Sequence, residues 1–166
     1  MEGLLASVNI HSLDPQNFVD ERLFSFLLHH EVHKATRLQY PLSLLCLSPD
    51  LGSSEAPPAL TNRLARAASR HVRTTDVGSL LPPSSIALLL IDAEARHLRG
   101  ILQRLRDALP LSLAETGRER HFTLSAGGGC YPQTAPTANA LLQQVVDLMT
   151  RAQAEGGNRL HLAPSS

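Results

Sequence analysis

Arginine and aspartate are spaced in this chain in a way that suits an anionic ligand. Arg73 and Asp76 stand three residues apart, and Arg63, Arg66 and Arg70 precede them at intervals that repeat along one face of a helix. A guanidinium fork binds phosphate oxygens or the paired acceptors of a planar base, whereas a carboxylate accepts paired N–H donors. A solvated helix face is the simpler interpretation of Arg63 and Arg66, and a solvated ion pair of little strength remains the alternative for Arg73 and Asp76.

Other residues that could carry chemistry form weaker patterns. No histidine and acid can be assigned to Ser84 and Ser85, so we interpret them as turn residues rather than nucleophiles. The three glycines at 127–129 lack the Lys-Ser/Thr of a phosphate loop, and we predict a strand bulge or bend there. No metal site is predicted at three histidines of one helix, because no carboxylate or cysteine set converges on them: His29, His30 and His33.

The composition is that of one soluble globular domain. The chain has 166 residues, of which 43 % are hydrophobic and 18 % are charged, enough for one core. The net charge of zero gives no reason to expect a nucleic-acid or anionic-membrane partner. No apolar run is long enough to span a bilayer and no signal peptide is evident, so we expect a cytoplasmic protein without membrane insertion. Nothing demands a disulfide between Cys46 and Cys130, and Cys46 fits a buried free thiol.

Hydrophobic periodicity predicts alternating helices and strands. Asp14-Pro15 is typical of an N-cap and first helical residue, and Asp92 is predicted to cap a later helix. Further helices are predicted at 57–71 and 141–155, strands at 42–47, 77–81, 86–91, 122–125 and 159–162, and a polar loop at 113–120. The order predicts a ferredoxin-like α/β (α+β) domain over residues 14–162, between a lead-in at 1–13 and a tail at 163–166.

Several motifs along this order resemble one known family. The strand Thr123-Leu124-Ser125-Ala126-Gly127 is similar to its Thr-x-Ser-x-Gly strand, and Gly156-Gly157-Asn158-Arg159 to its Gly-x-Asn-Arg turn. Arg73-Thr74-Thr75-Asp76 holds the register of its Arg-x-x-Asp, which precedes a Gly-Gly-[Asp/Glu]-Glu-Phe turn. The family is that of the diguanylate cyclase (GGDEF) domains. The resemblance implies a nucleotidyl-cyclase-type fold, with a mainly antiparallel sheet of about five strands, flanking helices and an N-terminal helix.

The resemblance also implies a ligand. In the family, the Arg-x-x-Asp forms an inhibitory site for cyclic di-GMP, completed by a second arginine that often comes from a neighbouring subunit. Arg73 and Asp76 match the first part, Arg104 matches the second, and we add Arg70 from the arginine stripe. Asp76 would then accept from the N1–H and N2–H of guanine, while Arg73 would bind O6, N7 or a phosphate. Arg104-Leu105-Arg106-Asp107 repeats the Arg-x-x-Asp pattern, which we interpret as a coincidence.

The departures from the family concern catalysis. Its members use carboxylates to hold two Mg²⁺ ions against a triphosphate, and Ser48, Ser84 and Ser85 stand at those positions here. Pro82 and Pro83 replace the two glycines, which removes amide donors and locks the backbone. Gln153 replaces the lysine of the closing helix, and the guanine-reading residues fall in a segment shortened to 51–58. We therefore expect no catalytic residue, no cofactor and no cyclase activity.

Two functions remain from this reasoning. The first is a non-catalytic cyclic di-GMP receptor that signals through a ligand-promoted homodimer or through a protein partner. The resemblance implies that such a partner belongs to exopolysaccharide, motility or pilus machinery. The alternative is a ligand-independent interaction scaffold derived from a decayed enzyme.

Overall fold

A computed structural model describes residues 16–52, 55–109, 112–115 and 118–165. The elements in chain order are β1 (Phe18–Val19), α1 (Glu21–Leu38), β2 (Leu42–Asp50), α2 (Pro58–His71), β3 (Val77–Leu81), β4 (Ser85–Ile91), α3 (Arg96–Ala108), β5 (Ser112–Glu115), β6 (Arg118–His121), β7 (Thr123–Tyr131), α4 (Ala138–Ala154) and β8 (Leu160–Leu162). Within these residues, six strands form one sheet in the order β1-β3-β4-β2-β7-β8, and β5 pairs with β6 separately. The inner pairings are antiparallel and the two edge pairings are parallel.

The sheet is buried on both faces, which explains the long apolar runs of its central strands. Alternate residues of β2 point to opposite faces, so that Leu45 and Leu47 pack with α2 and α3, while Leu44 and Cys46 pack with α1 and α4. Helices therefore flank a mainly antiparallel sheet, as the sequence predicts. Cys46 and Cys130 are both buried free thiols, and burial raises the pKa of Cys46 to about 12. None of the helices in the described part of the chain is long and apolar enough to cross a membrane.

The N-terminal helix begins later than the sequence predicts. Its N-cap is Asp20, whose Oδ1 accepts a hydrogen bond from Leu23 N at 2.8 Å, and Asp14-Pro15 lies outside the described residues. Phe18 and Val19 form β1 instead, pairing with Gly78 and Ser79 of β3. The Phe18 ring lies over Gly78, where an added Cβ would stand 2.5 Å from it. A helix that starts at Pro15 would include Phe18, whose apolar spacing fits a helix as well as the strand that it forms.

Three further expectations in the C-terminal half are wrong. The predicted polar loop at 113–120 contains strands β5 and β6, so there are more strands than the five expected. Asp92 adopts a left-handed backbone with φ of 50° and does not cap α3, which begins at Arg96 without a side-chain cap bond. The three glycines show no bulge, since each pairs in register with a residue of β2.

The glycines of β7 allow α4 to pack closely on the sheet. A Cβ on Gly127 would stand 2.5 Å from the backbone nitrogen of Met149 and would also meet the carbonyl oxygen of Val145. Backbone atoms of a helix that lies on a paired strand cannot move aside easily. Glycine is therefore required at position 127 because α4 approaches β7 closely, and not because the chain turns there.

We expect Gly127→Ala to lower the free energy of unfolding by roughly 1–3 kcal/mol or more, because the added methyl overpacks the junction of β7 and α4. Gly100→Ala is the matched control, since a Cβ at this exposed glycine of α3 meets no atom within 4 Å. That control should raise stability by about 0.5–1 kcal/mol. Urea unfolding measures both, and an unchanged midpoint for Gly127→Ala would contradict the close packing.

Candidate functional site

The Arg73–Asp76 segment forms a closed turn between α2 and β3. The backbone nitrogen of Asp76 donates to the carbonyl of Arg73 at 3.0 Å, and Arg73 N donates back to Asp76 Oδ2 at 2.8 Å. Helix α2 ends at His71, and Val72 already has an extended backbone. Arg73 therefore projects from a turn, and the expectation that it continues the arginine stripe on one helix face is wrong.

The carboxylate of Asp76 ties this turn to the rest of the fold. Its Oδ1 accepts a hydrogen bond from Ile91 N at the end of β4, 2.9 Å away, so each oxygen already has a backbone donor. Only 5 % of the residue is exposed. Asn17 donates from Nδ2 to the carbonyl of Asp76 at 3.2 Å, and Ser69 Oγ donates to Asn17 Oδ1 at 2.7 Å. Asp76 thus fixes the backbone of Arg73 against β1, α2 and β4.

Three of the four residues predicted for the ligand site border one cavity. Arg73, Asp76 and Arg104 all line a space of about 330 Å³ between the end of β4 and helix α3. All three belong to the same chain, so no neighbouring subunit is needed to bring the second arginine to the turn. Sequence reasoning missed Arg96 and His97, which line the same cavity. The sequence could have indicated these two residues, because they precede Arg104 at intervals that place them on the same face of α3.

Arg70 lies beside this cavity rather than in it. It borders an adjoining space of about 420 Å³ together with Arg66, Ser69 and Arg73. Arg73 lines both spaces, so the two adjoin at this residue. Arg66, Arg70 and Arg73 are all exposed, and the described residues that line the second space include no carboxylate. The surface from Arg66 to Arg104 is consequently basic in a chain whose net charge is zero.

The second Arg-x-x-Asp of the chain has a different geometry. Arg104 and Asp107 both lie within α3, where Asp107 Oδ1 accepts from Gln103 Nε2 at 2.9 Å, and the pattern closes no turn. Arg106 turns toward β7 and donates from Nη2 to the carbonyl of Leu124 at 3.1 Å. Burial lowers the pKa of Arg106, as expected for a guanidinium removed from water. Of the two arginines, only Arg104 is therefore available to a ligand in the cavity.

A separate cavity lies at the opposite end of β4. It measures about 560 Å³ and is bordered by the turn at 82–85, by Ser48 and by α4. The Pro82–Pro83 peptide bond in this turn is cis. Among the described residues that line it, Glu21 is the one charged side chain. Gln153, Thr150 and Gln143 supply neutral polar groups from α4.

Asp50 lies near this second cavity but is engaged in structure. Its Oδ2 accepts from Thr123 Oγ1 at 2.7 Å, from Ser125 Oγ at 2.9 Å and from Asn158 N at 2.9 Å. These bonds connect the end of β2 to β7 and to the turn before β8. The described residues contain no group of three or more His, Cys, Asp or Glu side chains that could hold a metal ion. Of the three histidines considered above, His29 donates from Nδ1 to Ser25 O at 2.8 Å and His30 stacks on Phe26.

Residues 18–159 match the family described as "Diguanylate cyclase, GGDEF domain", and the chain belongs to this family. None of the curated proteins matches it significantly. Among solved structures, the fold is similar to the GGDEF domain of PA1120 (TpbB or YfiN) from Pseudomonas aeruginosa, with a TM-score of 0.78 at 19 % identity, covering 93 % of this chain and 95 % of that one.

Two other structures share the fold. The GGDEF domain of DgcB from Caulobacter crescentus, solved in complex with c-di-GMP, has a TM-score of 0.73 at 13 % identity and covers 92 % of this chain and 95 % of its own. The diguanylate cyclase SiaD from Pseudomonas aeruginosa, solved with its activator SiaC, has a TM-score of 0.76 at 18 % identity, covering 92 % of this chain and 62 % of that one. The GGDEF-type α+β fold of the present chain is therefore shared with these proteins.

We expect Asp76→Ala to lower the free energy of unfolding by about 3 kcal/mol, because two backbone donors lose a charged, buried acceptor. Asp107→Ala is the control, since Asp107 is an exposed carboxylate with a surface partner. Its effect should stay within about 0.5 kcal/mol of the wild type. Chemical denaturation of the two variants tests the role of the carboxylate, and equal stability losses would show that Asp76 does not hold the turn.

Proposed function

We propose that this chain is a non-catalytic receptor domain for cyclic di-GMP. The observation that carries the proposal is that Arg73 and Arg104 of one chain border a single cavity beside the closed turn at 73–76. The cavity is basic and reaches a second space lined by Arg66 and Arg70. This arrangement offers guanidinium groups from two directions to one ligand.

The chemistry of cyclic di-GMP suits these groups. Each guanine carries O6 and N7 as paired acceptors, which a guanidinium fork can bind together, and the bridging phosphates bind the same forks. Arg73 lies between the two spaces, so one ligand can place a base in the first and a phosphate against Arg70 in the second. Asp76 borders the first space, and the lone pairs that its two backbone hydrogen bonds leave free can accept from the guanine N1–H and N2–H. The DgcB domain, which shares the fold, was solved with this ligand.

Catalysis is not part of the proposal, because the residues at the former catalytic turn do not fit two Mg²⁺ ions. Mg²⁺ takes hard oxygen ligands and, beside a triphosphate, one or two carboxylates. Ser48, Ser84 and Ser85 offer only hydroxyl groups there. The carboxylate of Asp50 already accepts three hydrogen bonds through one oxygen. No lysine or arginine is present among the described lining residues to meet the phosphates of GTP.

We expect no cyclic di-GMP from incubation of the protein with GTP and Mg²⁺ or Mn²⁺, because the described lining offers one carboxylate, that of Glu21, and no lysine or arginine for the phosphates. Chromatography of the reaction mixture against an active diguanylate cyclase measures this. Product above the enzyme-free blank would refute the proposal that the domain is non-catalytic.

A ligand-independent scaffold is the second candidate, and one observation favours it. Helix α1 exposes three large apolar side chains, Phe26 at 65 %, Leu38 at 62 % and Leu23 at 43 %. Such residues can form a contact with a protein partner, and SiaD was solved with a protein activator. Partners in exopolysaccharide, motility or pilus machinery and a ligand-promoted homodimer remain predictions. Under the receptor proposal the single-chain cavity makes the homodimer optional rather than necessary.

Substitution of Arg73 and Arg104 distinguishes the cyclic di-GMP receptor from the ligand-independent scaffold. We expect Arg73→Ala and Arg104→Ala each to weaken cyclic di-GMP binding at least about tenfold, since one charge-assisted contact is worth roughly 1.5–3 kcal/mol. Arg99→Ala is the control, because Arg99 is an exposed arginine of α3 that does not line the cavity. Isothermal titration calorimetry measures all four proteins.

A loss of cyclic di-GMP affinity in Arg73→Ala and Arg104→Ala that Arg99→Ala does not share would support a specific site. Equal losses at all three positions would instead indicate a diffuse basic surface. A wild-type protein that does not bind cyclic di-GMP would refute the receptor proposal and leave the scaffold.

A further inference from the structure

Helix α3 carries a glycine at the centre of the face that borders the proposed ligand cavity. Gly100 is followed one turn later by Arg104 and preceded one turn earlier by Arg96 and His97, and all four line the cavity. Glycine inside a helix is less favourable than alanine, so a reason for its presence is required.

The fold itself does not supply that reason. Gly100 is exposed, its φ is not in the left-handed region, and a Cβ added to it would meet no atom within 4 Å. Gly127 and Gly78 differ, because a Cβ at either position would collide with a packed neighbour. What the missing side chain of Gly100 does create is a stretch of bare helix backbone between the guanidinium of Arg104 and the side chains of Arg96 and His97.

The side chains around this exposed stretch of α3 backbone can bind a planar ring that also forms hydrogen bonds. Arginine stacks its guanidinium plane on aromatic surfaces, and Arg104 and Arg73 border the space from different elements. His97 accepts a hydrogen bond at Nδ1 from Glu94 N at 3.1 Å. Its Nε2 therefore carries the ring proton and can donate to an acceptor in the cavity. Arg96 is held nearby by an ion pair from Nε to Glu94 at 3.1 Å.

We propose that Gly100 is a specificity-determining residue of the ligand site, which admits one purine ring of the ligand flat against the backbone of α3. The inference rests on the proposed function, because it assigns a place within that site to one base of cyclic di-GMP. Any side chain at position 100 takes part of the place of the ring, and one as large as that of leucine excludes it.

Three variants test this inference by calorimetric titration with cyclic di-GMP and by thermal unfolding. Gly100→Leu should weaken binding at least about tenfold, while its melting temperature equals or exceeds that of the wild type, because leucine favours a helix. Gly100→Ala should weaken binding by a smaller factor, about threefold or more, because its methyl group takes part of the place of the ring, and should raise the melting temperature. Gln103→Leu is the matched control, since it places the same side chain on the exposed surface of α3 outside the cavity lining. It should bind like the wild type.

The outcomes separate the two proposals. If the wild type binds cyclic di-GMP and Gly100→Leu binds equally well, the place assigned to the purine is wrong while the receptor function stands. A lower melting temperature for Gly100→Ala would also overturn the inference, because it would show that the fold requires the glycine. A wild type without affinity for cyclic di-GMP would refute the receptor function and this inference with it.

Discussion

The buried carboxylate of Asp76 is the constraint on which the proposed site depends. It accepts one backbone hydrogen bond from Arg73 and one from Ile91, and so joins the turn after α2 to the end of the central strand β4. A buried ionised group is stable only when such donors surround it, which also makes its removal costly. The consequence for function is positional. The side chain of Arg73 is exposed, but the hydrogen bonds of Asp76 hold its backbone. The guanidinium group is therefore attached at a defined position opposite α3.

A second carboxylate has a similar role at the other end of the sheet. Asp50 joins β2 to β7 and to the turn before β8 through three hydrogen bonds to one oxygen. β4 runs from the turn at 82–85 to Ile91, so the neutral cavity lies at its beginning and the basic cavity at its end. The residues of the turn at 82–85 therefore do not line the basic cavity.

The sequence predicts the central strands and helices well because their apolar patterns are long and are buried on both faces. The sequence predicts local structure less well where one residue pattern is compatible with two different structures. Phe18 fits a helix by spacing but lies on β1, and the glycines at 127–129 resemble a bend but permit the close approach of α4. For the proposed site, the register of the Arg-x-x-Asp motif predicts Arg73 and Arg104, whereas the hydrogen bond from Ile91 N to Asp76 could not be predicted, since it depends on a tertiary contact between the turn after α2 and β4. Arg70 borders the adjoining space rather than the cavity of Arg73 and Arg104, a difference that helix spacing alone cannot predict.

The most direct test of the account follows the arginine side chains themselves. In protein labelled with ¹⁵N-arginine, the Nε–H resonances of Arg73 and Arg104 can be assigned by substitution and followed during titration with cyclic di-GMP. The account predicts that both shift and saturate together, while Arg106, buried against β7, does not. Resonances of Arg73 and Arg104 that remain unchanged at saturating ligand would contradict the central claim that these two residues of one chain form the site.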